Sequence, residues 1–566
     1  MPFVKRLFSL ILTAALGCSL LTGCADTTAA GEYTLPVRVG NTPSTLDPIY
    51  AQDAGDQTIL AHLYENLMRV SVNADGSTTV VGGMAKSVEM TENPDGSTTY
   101  TFKLRGSEWS DGQDVTANDF LYAWKRLVDP ASNSPFASML SVVAGYDEAR
   151  ATGDLELLQM EAKNNSTLVI TLTGNYNWFL TEVCTATATM PLRPDVVARL
   201  KTAAAEKTAA AATDDPNDTD TLFRWWSDPT ALVTNGPYQA VTYDRTALTA
   251  LKYEDYYRNT TGPDTLTFHF TKSLEDAQAL YDSNVVDALW PLSDIQMETL
   301  SATEGWTAIP NLCTYSVLFN GNCEALADPL VRQAMHLVID RNLIAELADI
   351  TAVPAEGVVP PGVPCNETGT YREVYGSILS NDPELYDDRC AQANDLLDQA
   401  GYDSGANLEP MEYLYVVEGQ NTAVANALCN LWSEVLQLQV EPIGVSEEEF
   451  WPVIRSGEYD LAGTHLDALI NDAECFLRTW TSSNPDNLVA YENSAYDTLL
   501  QIIATAEDGV ARMGCLHDAE ILLLEDHVIA PLYSLGTDWL LREPYAGAYR
   551  DARGWFLFAD TFIPTT

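Results

Sequence analysis

The side chains that most often carry catalysis or hold metals are present in this chain, but not at the spacings that such chemistry needs. The six histidines are isolated, and no two of them are four residues apart. The ten cysteines include no C-x-x-C pair, and the motifs G-x-S-x-G, H-E-x-x-H, G-x-G-x-x-G and G-x-x-x-x-G-K-[ST] are absent from the sequence. The sequence therefore predicts no catalytic residue, no metal site and no cofactor.

The charge balance excludes further classes of function. Among 566 residues, 80 are Asp or Glu and 30 are Lys or Arg, which gives a formal net charge of -50. Such a chain repels phosphate backbones, so nucleic acid is excluded as a partner, and self-repulsion favours a soluble monomer. Carboxylate pairs such as Glu254 and Asp255 are too common here to indicate a hydrolase. Two cysteine pairs, Cys313 with Cys323 and Cys365 with Cys390, are candidate disulfides.

The elements that must position a site are clearest in the second half of the chain. Apolar periodicity predicts strands at 412–417, 438–445 and 459–466, separated by helices at 424–435 and 450–454, with a capping box from Ser446 to Glu449. This βαβαβ unit predicts a parallel sheet with right-handed crossovers. Because ligands bind beyond the carboxyl ends of such strands, we place His465, Asp467 and Leu469 at a binding crevice.

The first half of the chain predicts a hairpin-rich region. Asp-Gly turns at 75–76 and 95–96 separate strand-like runs. Thr116 and Asp119 have the spacing of a capping box, and the apolar face that follows predicts a helix packed on the hairpins. Trp290 follows a strand-like run at 285–289, and we single it out among the tryptophans as a candidate ligand platform.

The N-terminus is typical of exported lipoproteins. Residues 1–23 have a basic start and an apolar segment too short to remain in a membrane, which predicts a cleaved signal peptide. The run Leu21-Thr22-Gly23-Cys24 resembles a lipobox, in which Cys24 is lipidated. Residues 24–30 would then form a tether that holds the protein on the extracytoplasmic face of the cell membrane.

Several runs, in order along the chain, resemble one family. They are YTFKLRGSEWSDGQDVTANDFLYAWKRL at 100–127, NGPY at 235–238, LCTYSVLFN at 312–320 and DPLVRQAMHLVIDR at 328–341. These runs are similar to those of bacterial oligopeptide- and dipeptide-binding proteins, the solute-binding protein family 5 of peptide ABC transporters. The resemblance implies capture of oligopeptides and their delivery to an ABC permease and ATPase complex.

The resemblance also implies an architecture. It is an α/β, two-lobe periplasmic-binding-protein-like fold of type II, with an extra inserted subdomain, that closes by a hinge over a central ligand cleft. Lobe I would comprise 31–75, 192–300 and 530–566, with the insert at 76–191, and lobe II would comprise 301–529. By position in the family, Gln52, Asp53 and Ala54 would pair with the ligand backbone, and Phe136 would approach it from the insert.

The match is broken at one functional position. Many members carry W-x-A-D-Y-x-D/E-P-x-x-F-L here, and the first Asp binds the α-ammonium of the peptide. In this chain Leu466 stands at the Trp position and Leu469 at the Asp position. Two alternatives remain: Asp467, on the same strand face as residue 469, takes over the ammonium contact, or the contact is absent and the ligand differs. Arg455 is the nearest candidate for a peptide carboxylate.

Other functions remain open from the sequence. Within the family, the ligand could instead be a modified peptide, a sugar or a metal chelate. A surface receptor that senses peptides without importing them would carry the same residues. A secreted acidic hydrolase is the rival from another class, and no motif supports it.

Overall fold

The computed structural model describes residues 33–564 except 73–77, 177, 212–222, 291, 293–299, 301, 303–304, 367–368, 403–404, 485 and 504–508. The predicted signal peptide, the tether and Cys24 lie outside the described residues, so lipidation of Cys24 stays a prediction. Within the described part of the chain, no helix is both long and apolar enough to cross a membrane.

One large sheet has seven strands. In spatial order they are Trp306–Pro310, Gly536–Leu541, Ala288–Leu289, Thr34–Arg38, Thr265–His269, Ala247–Lys252 and Tyr238–Tyr243. The central strand Thr34–Arg38 is parallel to both of its neighbours, and the remaining pairs are antiparallel. Leu35 and Val37 alternate with less buried residues and are fully buried. We call the half of the molecule built on this sheet the first lobe.

The second large sheet has six strands. In spatial order they are Val353–Pro354, Ile529–Ser534, Cys313–Phe319, Leu461–Asp467, Met411–Val416 and Val440–Val445. The strand Cys313–Phe319 is buried along its whole length, because separate apolar cores cover the two faces of the sheet. We call the half built on this sheet the second lobe.

The predicted βαβαβ unit is confirmed within the second lobe. Its three strands are parallel, in the order 461–467, 411–416, 440–445, and its helices are Asn421–Leu436 and Glu447–Ser456. The Glu449 carboxylate accepts the backbone N–H of Ser446 at 3.1 Å, as the capping box requires. The complete sheet is mixed, since 313–319 runs antiparallel to both of its neighbours.

The hairpin-rich region forms a four-stranded antiparallel sheet. Its strands in spatial order are Ala85–Glu92, Thr98–Leu104, Thr167–Leu172 and Met160–Asn164. Helix Ala117–Val128 begins with the predicted capping box and contacts this sheet. Its buried residues belong to the same continuous apolar core as the seven-stranded sheet, so the four-stranded sheet is packed onto the first lobe. Of the two predicted Asp-Gly turns, 75–76 lies outside the described residues, and Gly96 has the positive φ of 86° that a tight turn favours.

Shorter elements complete the two lobes. Within the residues that the structure describes, the other α-helices are Ala54–Leu63, Tyr146–Thr152, Pro194–Ala211, Leu274–Asp282, Pro329–Leu337, Arg341–Ala348, Tyr371–Tyr375, Tyr386–Gln399, Ala473–Leu477, Ser494–Ile502 and Gly509–Glu525. Two-stranded pairs join Met68–Val72 to Thr78–Gly82, Pro364–Asn366 to Gly369–Thr370, and Tyr549–Arg550 to Phe556–Leu557. The chain passes between the large sheets at 311–312 and at 535. The full set of predicted domain boundaries stays a prediction.

The two candidate disulfides are not formed, and the sequence prediction is wrong on this point. Cys313 begins the strand Cys313–Phe319, and Cys323 lies in the turn beyond its other end, so ~20 Å of extended chain separates them. A disulfide needs Cα atoms within about 7 Å. Cys390 carries a free thiol, which rules out the pair with Cys365.

Candidate functional site

A cleft of about 910 Å³ lies between the two lobes. This volume is near the upper end of the ~300–1,000 Å³ of ordinary ligand pockets. The first lobe contributes the start of helix Ala54–Leu63 and the segment around 550–555, and the second lobe contributes the carboxyl end of strand Leu461–Asp467. The residues 311 and 535, where the chain passes between the lobes, also line the cleft.

The structure brings together most of the residues singled out from the sequence. Eight of them line the cleft: Gln52, Asp53, Ala54, Phe136, Trp290, His465, Asp467 and Leu469. Leu466 points to the opposite face of its strand and packs against the apolar core there, because successive side chains alternate across a strand. The guanidinium of Arg455 lies over the Trp451 ring, 5.5 Å from its centroid. Neither residue lines the cleft, and the ligand contacts of all ten stay predictions.

On the second-lobe wall, an imidazole and a thiol lie beside a carboxylate. His465 Nδ1 lies 3.1 Å from Cys313 Sγ, and its ring meets the Tyr315 ring edge-on at 4.8 Å. Burial lowers the pKa of His465, although Asp467 opposes the shift. Burial also raises the pKa of the Cys313 thiol, with a smaller contribution from Asp467. This wall therefore presents an uncharged imidazole and thiol beside the exposed side chain of Asp467.

The first-lobe rim is built around a helix start. The Asp53 carboxylate accepts the backbone N–H of Gly55 at 2.7 Å and so caps helix Ala54–Leu63. A Cβ atom at residue 55 would lie 2.0 Å from the carbonyl oxygen of Val39, so only glycine allows this close approach. Since the Asp53 side chain serves the cap, the groups of 52–54 best placed to meet a ligand are its backbone and the exposed side chain of Gln52.

Trp290 is a packed part of the first-lobe wall. It is 3% exposed, and its ring lies 4.0 Å from that of Phe556 and 6.0 Å from that of Phe558, centroid to centroid. Its backbone carbonyl accepts a hydrogen bond from Arg38. Phe136 is likewise buried. Both residues line the cleft with a small apolar surface, while most of each ring belongs to the core.

Sequence reasoning missed three arginines of the first lobe that line the cleft, namely Arg38, Arg550 and Arg553. Arg553 donates to the Asp551 carboxylate at 2.6 and 2.9 Å and to the carbonyl of Glu182 at 2.7 Å. Arg550 donates to Asn311 Oδ1 at 2.8 Å. Two of these arginines are visible in the sequence as the run Y-R-D-A-R at 549–553. No local pattern indicates that the fold places this run at the same cleft as strand 461–467.

The charges of the cleft are segregated between its walls. The second lobe contributes the carboxyl side chains of Asp349, Glu418 and Asp467, whereas the first lobe contributes the three arginines together with Asp53. A ligand with a positive and a negative end would find opposite charge on opposite walls.

Comparison with known proteins decides the family. The family model described as "Bacterial extracellular solute-binding proteins, family 5 Middle" matches residues 79–487. The chain belongs to this family. The probable deoxycholate-binding periplasmic protein YgiS of Escherichia coli is 29% identical over 93% of this chain and 92% of its own length. The periplasmic oligopeptide-binding protein OppA of the same organism is 26% identical over 93% and 91%, respectively.

Solved structures agree on the fold. Haemophilus influenzae OppA in complex with RPPGFSPFR matches 94% of this chain and 99% of its own, with a TM-score of 0.69 and 24% identity. The unliganded open form of the murein tripeptide-binding protein MppA matches 94% and 98%, with a TM-score of 0.73 and 24% identity. The predicted family and two-lobe fold are therefore confirmed. The family and these neighbours are binding proteins rather than enzymes.

Proposed function

We propose that this protein is a lipid-anchored, extracytoplasmic substrate-binding protein that captures oligopeptides and delivers them to an ABC permease and ATPase complex. Relatives named as oligopeptide-binding, dipeptide-binding and murein peptide-binding proteins support the peptide as ligand. The predicted lipobox at Cys24 supports the anchor. Capture proceeds by closure of the lobes, without covalent chemistry.

The segregated charge of the cleft is the observation that carries this proposal. A peptide is a zwitterion, with an ammonium at one end and a carboxylate at the other. Three acidic residues of the second lobe and three arginines of the first lobe line the cleft. Each end of a peptide would therefore meet a group of opposite charge. A neutral sugar has no charged end and would leave these groups without a countercharge.

Asp467 is the residue proposed to bind the ammonium. It lies at the end of strand Leu461–Asp467, lines the cleft and is exposed. Leu469 also lines the cleft, whereas Leu466 packs beneath the sheet. An ammonium moved out of water without a charged or hydrogen-bonding partner is strongly disfavoured, so Asp467 replaces the contact that Leu469 cannot make.

The rest of the peptide is bound with little dependence on its amino-acid sequence. The backbone at Gln52, Asp53 and Ala54 pairs with the peptide backbone at the first-lobe rim, near Phe136. Main-chain hydrogen bonds give affinity that does not depend on side chains, and hydrated pockets accommodate different side chains.

Native mass spectrometry tests this function. The full-length protein with Cys24→Ala, expressed without its lipid, is incubated with a tetrapeptide library. We expect a spread of bound peptide masses for this protein and a loss of at least tenfold in bound fraction for Asp467→Ala, because the ammonium loses its countercharge. Asp395→Ala, an exposed position on helix Tyr386–Gln399, is the matched control and should bind like the parent. An unchanged spread in Asp467→Ala would exclude the ammonium contact.

One relative points to a second candidate ligand. The Escherichia coli protein that is 29% identical is named as probably deoxycholate-binding, and deoxycholate has a carboxylate but no ammonium. If the protein bound deoxycholate and no peptide from the library, the carboxylate of the steroid rather than a zwitterion would explain the arginines. Sensing instead of import would be indicated if cells lacking the protein took up peptides normally.

A further inference from the structure

A loop of the second lobe reaches from the ligand cleft into the core of the other lobe. Residues 468–472, which we call the crossing loop, follow the second-lobe strand that ends at the cleft. Ala468 and Leu469 line the cleft. Ile470 is buried, and it packs into the apolar core of the first lobe. Among the second-lobe residues that the structure describes, it is the one buried apolar residue in that core.

A buried carboxyl of the first lobe binds the next residue of the crossing loop. The backbone N–H of Asn471 donates to Glu182 Oε2 at 3.1 Å. Glu182 is 9% exposed and lies in the helical turn Phe179–Val183, whose apolar residues belong to the first-lobe core. Burial raises the pKa of Glu182 to about 7, although Arg553 opposes the shift. This carboxyl is therefore enclosed where the two lobes meet.

A neighbouring segment of the first lobe completes the contact. Arg553 Nη1 donates to the backbone carbonyl of Glu182 at 2.7 Å and lies 3.9 Å from Glu182 Oε2. The Asp551 carboxylate accepts from Arg553 Nε at 2.6 Å and so fixes this guanidinium. Ala552, between these two residues, packs against an apolar core of the second lobe. The lobes therefore exchange apolar contacts beside Glu182, with Ile470 in one direction and Ala552 in the other.

Both ends of the crossing loop are anchored outside the first lobe. The backbone N–H of Ala468 donates to the carbonyl of Leu312 at 3.0 Å, at one of the chain passages between the lobes. The Asp472 carboxylate accepts from Arg512 at 2.7 and 3.0 Å, and both side chains are buried in the second lobe. Between these anchors, the contacts with the first lobe determine where Leu469 lies in the cleft.

We propose that Glu182 is a positioning residue of the ligand site, which holds the crossing loop, and with it Asp467 and Leu469, in place across the cleft. Ile470 supplies the apolar part of the same junction. Glu182 does not line the cleft, so it acts on the ligand through the loop. The junction joins the lobes without a chain connection and does not depend on which ligand binds, whereas its effect on peptide affinity rests on the proposed function.

Hydrogen exchange measured by mass spectrometry tests the junction without any ligand. In the full-length Cys24→Ala protein, the added change Glu182→Ala should make amide exchange in 468–472 at least tenfold faster, because the N–H of Asn471 loses its acceptor. Glu182→Gln keeps an acceptor oxygen and should exchange like the parent. Ile470→Ala, a change in the second lobe, should in turn make exchange faster at 179–183 in the first lobe.

Peptide binding tests the positioning role. The bound fraction of the tetrapeptide library, measured by native mass spectrometry, should fall at least threefold in Glu182→Ala, because Asp467 and Leu469 lose their fixed position. Glu182→Gln should stay within twofold of the parent. A residue that only stabilised its own lobe would not produce this rescue together with faster exchange in the other lobe.

The controls separate failure of the junction from failure of the function. Glu161→Ala removes an exposed carboxylate of the same lobe and should change neither measurement. Faster exchange confined to the first lobe in Glu182→Ala, or peptide binding equal to that of the parent, would overturn the positioning role. If the parent bound no peptide but the exchange effect across the lobes remained, the proposed function would fail and the junction would stand. If Glu182→Ala does not fold, unchanged exchange at 179–183 in Ile470→Ala would overturn the junction.

Discussion

The two walls of the cleft hold their charged groups in different ways. On the first-lobe wall, Arg38, Arg550 and Arg553 are buried or nearly so and are fixed by hydrogen bonds to their surroundings. On the second-lobe wall, Glu418 and Asp467 are exposed at the ends of strands Met411–Val416 and Leu461–Asp467. The first-lobe arginines are therefore preorganised, whereas two of the three acidic side chains of the second-lobe wall are exposed. The third, Asp349, is half-buried and accepts the backbone N–H of Thr351 at 2.7 Å.

Apolar residues of the cleft follow the same division. Trp290 on the first-lobe wall is 3% exposed and packs against the Phe556 ring, whereas Leu469 on the second-lobe wall is 38% exposed. A residue packed into the core contributes mainly to stability, and an exposed residue at the cleft contributes mainly to ligand contact. We therefore expect a substitution at Trp290 to lower mainly the stability of the protein, and a substitution at Leu469 to lower mainly its affinity for peptides.

The largest expected effect is on stability. Trp290→Ala should lower the free energy of unfolding by about 3–5 kcal/mol, because it leaves a cavity beside Phe556 and Phe558. Leu469→Ala, the matched change on the other wall, should lower it by less than about 1 kcal/mol and change peptide affinity instead. Urea denaturation of both variants measures the difference. Equal destabilisation by the two changes would break the distinction between the walls.

Acid should weaken the first lobe through His62. This side chain is fully buried on helix Ala54–Leu63, which carries the rim. Its Nε2 accepts the backbone N–H of Phe558 at 2.9 Å, and its Nδ1 lies 2.7 Å from the carbonyl of Thr58. Both contacts are made by a neutral ring. Burial lowers its pKa from 6.5 to about 4.

The sign of the pH dependence follows from this shift. Between pH 6.5 and 4 the unfolded chain binds a proton at His62 that the folded protein does not. The stabilisation is therefore complete above pH 6.5 and is lost as the pH falls to 4, by about 3 kcal/mol in total. Thermal unfolding across this range should show a shallower fall in midpoint for His62→Gln than for the parent protein. Identical slopes would show that His62 is not a source of the acid sensitivity.

Local patterns account for what the sequence predicted well. The two capping boxes and the βαβαβ unit depend on residues close in the chain, so their periodicity and caps were sufficient to locate the 461–467 strand end. The family resemblance added the rim at Gln52–Ala54, which no local pattern indicates. Leu466 was placed among the site residues by its family position, although strand alternation already turned it away from Asp467.

The arginines were missed because their role depends on contacts between distant parts of the chain. Arg550 meets Asn311 across 239 residues, a contact that no local pattern in the sequence indicates. Arg455 was preferred because it lies close in sequence to the predicted crevice. Its guanidinium lies over the Trp451 ring and does not line the cleft, so its contact with a ligand stays a prediction.

The smallest expected effect is at Arg455, which lies outside the cleft. Its guanidinium lies over the Trp451 ring on helix Glu447–Ser456, and such an exposed cation–π contact is worth ~0.5–1 kcal/mol. Arg455→Gln should therefore leave the bound fraction of tetrapeptides within twofold of the parent, while Asp467→Ala lowers it at least tenfold. A large loss of peptide binding in Arg455→Gln would show that a cation of the second lobe meets the carboxylate. The assignment of positive charge to the first-lobe wall and negative charge to the second would then have to be abandoned.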